Sequence, residues 1–213
     1  MKKITKYSYF IVLNIIVILL NINFYNSVSG NPKNDDIKKE IEICCTWGET
    51  LKDGILTFKI VNAKPVIKQI VKAAFYDWEQ NIKELRFREA DYREKADITI
   101  SFGSDNGKVA GQTITNFDSN GFIYSNKIFL AEKAFTKKLT NNLIGYLAKH
   151  EIGHALGLGH ANFDESLMSS LVYNINNKID RCEIDALKAA NKWKLIDDSP
   201  FPKLSKNKYY ICN

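Results

Sequence analysis

The stretch HEIGHALGLGH, residues 150–160, decides how the rest of the chain is interpreted. Residues four apart on an α-helix share one face, so His150 and His154 can point into the same space. A straight helix would turn residue 160 to another side, because each residue advances the helix by about 100°. Gly157 lets the chain leave the helix, since glycine accepts the left-handed conformation that ends many helices. We therefore predict that His160 folds back towards the first two histidines.

Three imidazoles that converge on one point form a ligand set typical of catalytic zinc, which usually also holds a water molecule. His150, His154 and His160 are all the histidines of the chain, and all stand at ligand spacing. Glu151 lies between the first two, where a carboxylate can take a proton from the water that zinc activates. We predict one catalytic zinc ion, with Glu151 as the general base. Three ordinary buried histidines on a helix are the alternative interpretation.

The N-terminal part of the chain differs in composition from the rest. Lysines at positions 2, 3 and 6 precede an apolar run over residues 9–20, and small residues follow at 27–30. This order is typical of a secretory signal peptide, and the run is shorter than the ~20 residues of a membrane-spanning helix. An uncleaved membrane anchor is the alternative. We predict a signal peptide over residues 1–29, a short polar tether over 30–42 and a catalytic domain with a C-terminal tail over 43–213.

Charge and cysteine content narrow the class of protein. The net charge of +6 falls to +3 without the signal's lysines, because 27 basic and 24 acidic residues remain. Such a balance is typical of a solvated surface and argues against a nucleic-acid partner. Cys44, Cys45, Cys182 and Cys212 form an even set, which in an exported protein indicates disulfide bonds. Structural zinc on cysteine is the weaker alternative, because the chain has no C-x-x-C pair.

Apolar periodicity predicts the elements around the histidine motif. Residues 56–60 and 97–102 alternate between apolar and polar side chains, as half-buried strands do, and an amphipathic helix begins at Pro65 between them. We expect weaker strands over residues 112–115 and 122–130, a helix from Thr140 or Asn141 through the motif, and a last helix over 179–193. This order predicts an α/β (α+β) fold with one mixed twisted sheet of about 4–5 strands, two long helices, a zinc cleft and a C-terminal helix.

The pattern H-E-x-x-H-x-x-G-x-x-H is the signature of metzincin zinc peptidases. Within them the chain resembles the matrixins, the matrix-metalloproteinase-like catalytic domains. Met168 stands where these proteins place a methionine in a tight turn beneath the zinc, and residues 161–168 are similar in length and in their Leu-Met ending. Residues 56–60 and 96–102 resemble two of the family's strands. The resemblance implies a metzincin-like fold and a secreted zinc-dependent endopeptidase.

Several features follow from this resemblance alone. The strand over residues 122–130 would form the sheet edge beside the cleft and bind extended substrate through main-chain hydrogen bonds. Tyr173 would line the substrate pocket. Apart from the resemblance, Asp105, Asn106, Asp118 and Asn120 lie in glycine-bearing loops, where they fit either calcium ligands or ordinary turn formers.

The resemblance also implies a pairing of the cysteines. The N-terminal segment would pack beside the last helix, so that Cys45, in slight preference to Cys44, would bond to Cys182. The other N-terminal cysteine would bond to Cys212 and hold the tail against the domain. A bond between Cys44 and Cys45 is disfavoured because it closes a small strained ring, and a thiolate of either on the zinc is the weaker alternative.

Two functions are compatible with these features. The first is a secreted endopeptidase acting on protein or peptide substrates, and the second is an inactive binding or structural module that retains zinc. Glu151 favours the first, because a purely structural site has no use for a general base. We expect a monomer without a nucleic-acid partner, located outside the cell or tethered to its outer face by an uncleaved N-terminal segment.

Overall fold

The computed structural model describes residues 12–16, 38–103, 109–134, 137–171 and 178–212. In chain order the elements are β1 (Val12–Ile16), β2 (Glu40–Ile43), a 3₁₀ turn (Glu49–Leu51), β3 (Ile55–Val61), α1 (Pro65–Asn81), β4 (Arg86–Glu89), β5 (Ile98–Gly103), β6 (Gly111–Phe117), β7 (Ile123–Ala131), β8 (Lys133–Ala134), β9 (Lys137–Lys138), α2 (Asn141–Ala155), β10 (Leu158–Ala161), α3 (Arg181–Ala190), α4 (Lys192–Leu195) and β11 (Tyr209–Ile211). Within these ranges, no helix is both long and apolar enough to cross a membrane.

The main sheet is mixed, with the strand order β1-β6-β7-β5-β3-β4. Its β3, β4, β5 and β7 pair in parallel, whereas β6 pairs antiparallel with both β7 and β1. The predicted α/β fold with one mixed sheet is therefore confirmed. No apolar alternation marks β4 in the sequence, because its side chains are mostly exposed.

The edge of this sheet is not where we expected it. The strand predicted over residues 122–130 is β7, which lies inside the sheet between β5 and β6. It is suited to that place because Ile123, Ile128 and Leu130 are buried, whereas β6 is built largely from glycine, glutamine and threonine. The strand that lies outward of β7 is β6, and β1 pairs with its outer edge.

The two long helices pack against each other, and α2 lies against β6 and β7. Pro65 begins α1, where its missing N–H costs no hydrogen bond. Thr140 caps α2 by accepting a hydrogen bond from the Leu143 amide at 3.2 Å. Trp78 of α1 is buried and donates from its indole nitrogen to the carbonyl of Lys149 at 3.0 Å. This bond ties α1 to the turn of α2 that precedes the histidine motif.

A second sheet has the order β10-β2-β11. Residues 40–42, expected in the polar tether, instead form most of β2, and Ile41 and Ile43 are buried. Ordered structure therefore begins before residue 43. One edge of β2 pairs with β10, the strand that carries His160, and the other pairs with β11 in the C-terminal tail.

The last helix is shorter than predicted. It ends as α3 at residue 190, and Asn191 separates it from α4. The Asn191 side chain accepts from the Trp47 amide at 2.9 Å and donates to the Leu156 carbonyl at 2.8 Å. These bonds hold the end of α3 against the end of α2.

The predicted pairing of the cysteines is wrong. The structure joins Cys44 to Cys45 and Cys182 to Cys212. The amides of Cys44 and Cys45 both donate to the Gly157 carbonyl, at 3.0 and 3.2 Å, so the backbone is tightly curled at this pair. Because Cys212 directly follows β11, it lies beside the first turn of α3, with its Cα 5.3 Å from that of Cys182. The tail is thus held covalently, as expected, but by a different bond.

Candidate metal centre

The three histidines of the motif come together at the end of α2. His150 and His154 lie on one face of this helix, with their Nε2 atoms 2.9 Å apart. The chain leaves the helix at Gly157, whose φ of 105° is open to glycine at little cost. It then returns along β10 with His160, and one ring nitrogen from each histidine lies within 4.8 Å of the others. The first two rings are fully buried and the third is partly buried.

Backbone carbonyls set the orientation of two of these rings. Nδ1 of His150 lies 2.7 Å from the Leu167 carbonyl oxygen, and Nδ1 of His154 lies 2.9 Å from that of Leu158. These acceptors assign the proton of each neutral ring to Nδ1 and leave a lone pair on Nε2. Two lone pairs then face each other across 2.9 Å, and the buried Nε2 of His160 has no hydrogen-bond partner among the described residues. A cation between them satisfies all three nitrogens, so these residues fit a zinc ion.

The three rings are held in the form that binds metal. Burial, together with neighbouring His160, lowers the pKa of His154 to about 3. Burial and the nearby His154 take the pKa of His150 well below its ordinary value, and burial lowers that of His160 as well. All three imidazoles are therefore neutral at pH 7, as metal binding requires.

Glu151 points from α2 towards β6 and is fully buried. Its Oε2 accepts a hydrogen bond from the Thr113 hydroxyl at 2.6 Å, while Oε1 is buried with no partner among the described residues. Burial raises the pKa of Glu151 to about 8, although the hydrogen bond from Thr113 acts in the opposite direction. A carboxyl group whose pKa lies near neutral pH can both accept and release a proton.

Met168 is buried in a turn that packs beneath the helical histidines. The Glu183 side chain on α3 accepts from the Ser166 hydroxyl at 2.6 Å and from the Leu167 amide at 2.9 Å. The Met168 carbonyl accepts from the amide of Ala161 at 2.9 Å. The turn is thus fixed from both α3 and β10. The family resemblance indicated Met168 but not Glu183, which only the packing of α3 brings to the turn.

Other expected site residues lie away from this centre or outside the described residues. Tyr173, Asp105 and Asn106 belong to the latter group. Asp118 lies in the turn between β6 and β7, where its Oδ1 accepts from the amides of Asn120 and Phe122 at 2.8 and 3.0 Å. These bonds are the pattern of a turn former, the second of the two interpretations given above.

Known proteins are similar to this sequence over about half of its length. Matrix metalloproteinase-19 of Homo sapiens is 30% identical over 128 residues, which are 54% of this chain and 24% of that protein. Macrophage metalloelastase of Rattus norvegicus is 33% identical over 125 residues, 53% of this chain and 26% of that protein. The chain therefore spans about a quarter of the length of these relatives.

Among solved structures, myroilysin superposes with a TM-score of 0.45 at 12% identity, over 65% of this chain and 80% of its own. Archaemetzincin from Methanopyrus kandleri gives a TM-score of 0.43 at 14% identity, over 64% of this chain and 94% of its own. The sequence profile of one peptidase family, matrixin, matches residues 46–192. Because this match covers more than half of the 213 residues, the chain belongs to the matrixin family of zinc peptidases.

Proposed function

We propose that the protein is a secreted zinc-dependent endopeptidase that hydrolyses peptide bonds within protein substrates. His150, His154 and His160 would hold the zinc ion, and Glu151 would be the general base. One observation carries the proposal: three histidines, two of them fully buried, converge with their ring nitrogens next to a buried carboxylate that keeps one oxygen without a partner among the described residues. A structural zinc site gains nothing from that carboxylate, so catalysis accounts for the arrangement better than an inactive module does.

The zinc ion and Glu151 would have different roles in peptide-bond hydrolysis. Zinc, when bound, supplies a Lewis acid that polarises the scissile carbonyl and lowers the pKa of water. The free Oε1 of Glu151 accepts a proton from the water that attacks the carbonyl carbon. The apolar surroundings favour the protonated carboxyl, which holds this proton until the C–N bond breaks. Glu151 then donates it to the leaving amine.

The substrate would lie extended along the outer edge of β6. This edge already pairs with an extended segment, since β1 runs antiparallel along it with Asn14 opposite Thr113. Main-chain groups of β6 are therefore suited to the addition of a strand. Removal of a signal peptide over residues 1–29 would take β1 away and leave the edge to substrate. Protein beginning at residue 30 should then cleave peptides faster than the full chain, and equal rates would count against this role of β6.

The proposed location follows from the N-terminal sequence and the cysteines. A signal peptide over residues 1–29 would direct export, and the disulfide bonds suit an oxidising compartment. The mature protein would be a monomer outside the cell, with a single catalytic domain that includes β2 and the tail. An uncleaved N-terminal segment would tether the same domain to the outer face of the membrane.

Digestion of casein or gelatin by the purified protein tests the proposal. Mass spectrometry of the products should show cleavage at internal peptide bonds. A chelator should abolish cleavage, and added zinc should restore it. Activity that survives exhaustive chelation, or a zinc-loaded protein that cleaves neither substrate, would contradict the proposed function.

A further inference from the structure

We propose that Thr113 of β6 is a positioning residue that fixes the carboxylate of Glu151 for catalysis. The inference rests on the proposed function, because it takes Glu151 to be the general base. Thr113 is fully buried, and its Oγ1 lies 2.6 Å from Oε2 of Glu151 and 3.0 Å from the Glu151 backbone carbonyl oxygen. The hydroxyl carries a single proton, and its shorter contact is with the carboxylate.

This hydrogen bond determines which carboxylate oxygen is left for the reactants. A glutamate side chain turns about three bonds, so a base held at one end only would sample several positions. The bond from Thr113 occupies Oε2, while Oε1 has no partner among the described residues. Thr113 therefore leaves Oε1 as the oxygen available to the reactants, beside Gly111 of β6.

Gly111 also helps to position the carboxylate of Glu151. It lies two residues before Thr113, on the same face of β6. A Cβ atom at Gly111 would stand 2.5 Å from Oε1 and 3.0 Å from Cγ of Glu151. Because Gly111 has no side chain, there is room for the carboxylate of Glu151, and the hydrogen bond from Thr113 holds it there. Both residues belong to β6 and lie outside the histidine motif.

The same strand carries an internal control. Thr115 lies on the same face of β6 and is equally buried, but its hydroxyl has no hydrogen-bond partner among the described residues. Replacing either threonine with valine removes a hydroxyl and keeps the shape of the side chain. Only the replacement at position 113 removes a contact with Glu151.

Steady-state kinetics of zinc-loaded Thr113→Val, Thr113→Ser and Thr115→Val test the proposal. Hydrogen bonds to charged groups contribute about 1.5–3 kcal/mol, so kcat of Thr113→Val should fall about tenfold to a hundredfold. Its zinc content should stay at the wild-type level, and KM should change by less than about twofold. Thr113→Ser should recover most of kcat, and Thr115→Val should keep it. Wild-type kcat in Thr113→Val, or an equal loss in Thr115→Val, would overturn the assignment.

A stability cycle with Glu151→Ala, which removes the carboxylate, gives a readout independent of turnover. The effects of Thr113→Val and Glu151→Ala on the free energy of unfolding should be non-additive, because the two side chains share one contact. Those of Thr115→Val and Glu151→Ala should add. Should Thr113→Val fold too poorly for kinetics, the cycle is measured with Thr113→Ala and Thr115→Ala, and additivity at position 113 would refute the contact.

The two proposals fail in different ways. Wild-type activity in the Glu151→Gln variant would contradict the proposed function itself. If Glu151→Gln loses activity but Thr113→Val keeps the wild-type kcat, the proposed function still holds. Only the positioning role of Thr113 is then contradicted.

Discussion

Gly153 of α2 packs so closely against Met168 that a Cβ atom at Gly153 would lie 2.5 Å from the Met168 sulfur. Trp78 of α1 closes the same space, at 3.3 Å from that position. Gly153 directly precedes His154, and the carbonyl that orients His150 belongs to Leu167 of the same turn. The turn that contains Leu167 and Met168 therefore lies directly beneath the histidine site. The contact between Gly153 and Met168 fixes how closely α2 packs against this turn.

Gly153→Ala should destabilise the protein despite its better helix propensity. Alanine gains about 1 kcal/mol over glycine within a helix, whereas overpacking a core costs about 1–3 kcal/mol. Denaturant unfolding should therefore show a net loss of stability. In the double variant with Met168→Ala the new methyl group occupies vacated space, so the two losses should be less than additive. A Gly153→Ala protein more stable than wild type would rule out the tight contact.

His154→Ala should abolish tight metal binding. Elemental analysis of the wild-type protein should find about one zinc ion per chain, and the variant should contain little. Because the metal would join α2 to β10, the variant should also unfold more easily. A chelator should lower the melting temperature of the wild type but not that of the variant. If a chelator lowers the melting temperature of both proteins equally, the stabilising metal is bound at a site that does not include His154.

The stability of the chelated protein should peak near pH 6.5. Burial lowers the pKa of all three histidines, so below their ordinary pKa of 6.5 the unfolded chain binds protons that the folded chain does not, and stability falls as the pH falls. Burial raises the pKa of Glu151 from 4.5 to about 8, so between these values unfolding releases its proton and stability falls as the pH rises.

Three histidines outweigh one carboxyl between pH 4.5 and 6.5, so unfolding takes up a net of more than one proton. The expected loss is at least about 1.4 kcal/mol per pH unit on the acid side, with a decline of about that size per pH unit from 6.5 towards 8. Denaturant titrations with chelator across this range measure it. A stability that rises steadily from pH 6.5 to 8 would contradict the buried, uncompensated Glu151.

Peptide mapping without reductant should recover Cys182 linked to Cys212 and an internal bond between Cys44 and Cys45. The Cys182–Cys212 bond closes a loop of 30 residues, so its removal should cost about 3.5 kcal/mol in the chain-entropy model. Denaturation of the double variant Cys182→Ser/Cys212→Ser measures this loss. A peptide joining Cys45 to Cys182 would reinstate the pairing that the family resemblance implies.

The features predicted correctly from sequence are those that depend on local geometry. The convergence of His150, His154 and His160 follows from the helical repeat and from one glycine that ends the helix. The strands β3 and β5 and the helix α1 follow from alternating and helical apolar patterns. Each of these depends on residues close together in the chain, which a single sequence displays directly.

The features that were missed depend on contacts between distant segments. Thr113 lies 38 residues from Glu151 and reaches it only because β6, not β7, lies outward in the sheet beside α2. Alternation indicates that a segment is a strand but not which neighbours it pairs with. The backbone at Cys44 and Cys45 likewise contacts a distant segment, because both amides donate to the Gly157 carbonyl, over 100 residues away. One pattern in the sequence does indicate that β6 packs closely against a helix. Its alternate positions hold the small residues Gly111, Thr113 and Thr115.

The rate at which zinc-loaded Glu151→Gln cleaves casein decides whether Glu151 acts as the general base of a zinc peptidase. Glutamine keeps the size of the side chain and its contact with Thr113 but cannot accept the proton, so the variant should bind zinc as the wild type does. Its kcat should fall at least ~10²-fold, the contribution expected of a general base. A zinc-loaded Glu151→Gln protein that cleaves casein at the wild-type rate would show that Glu151 is not the general base.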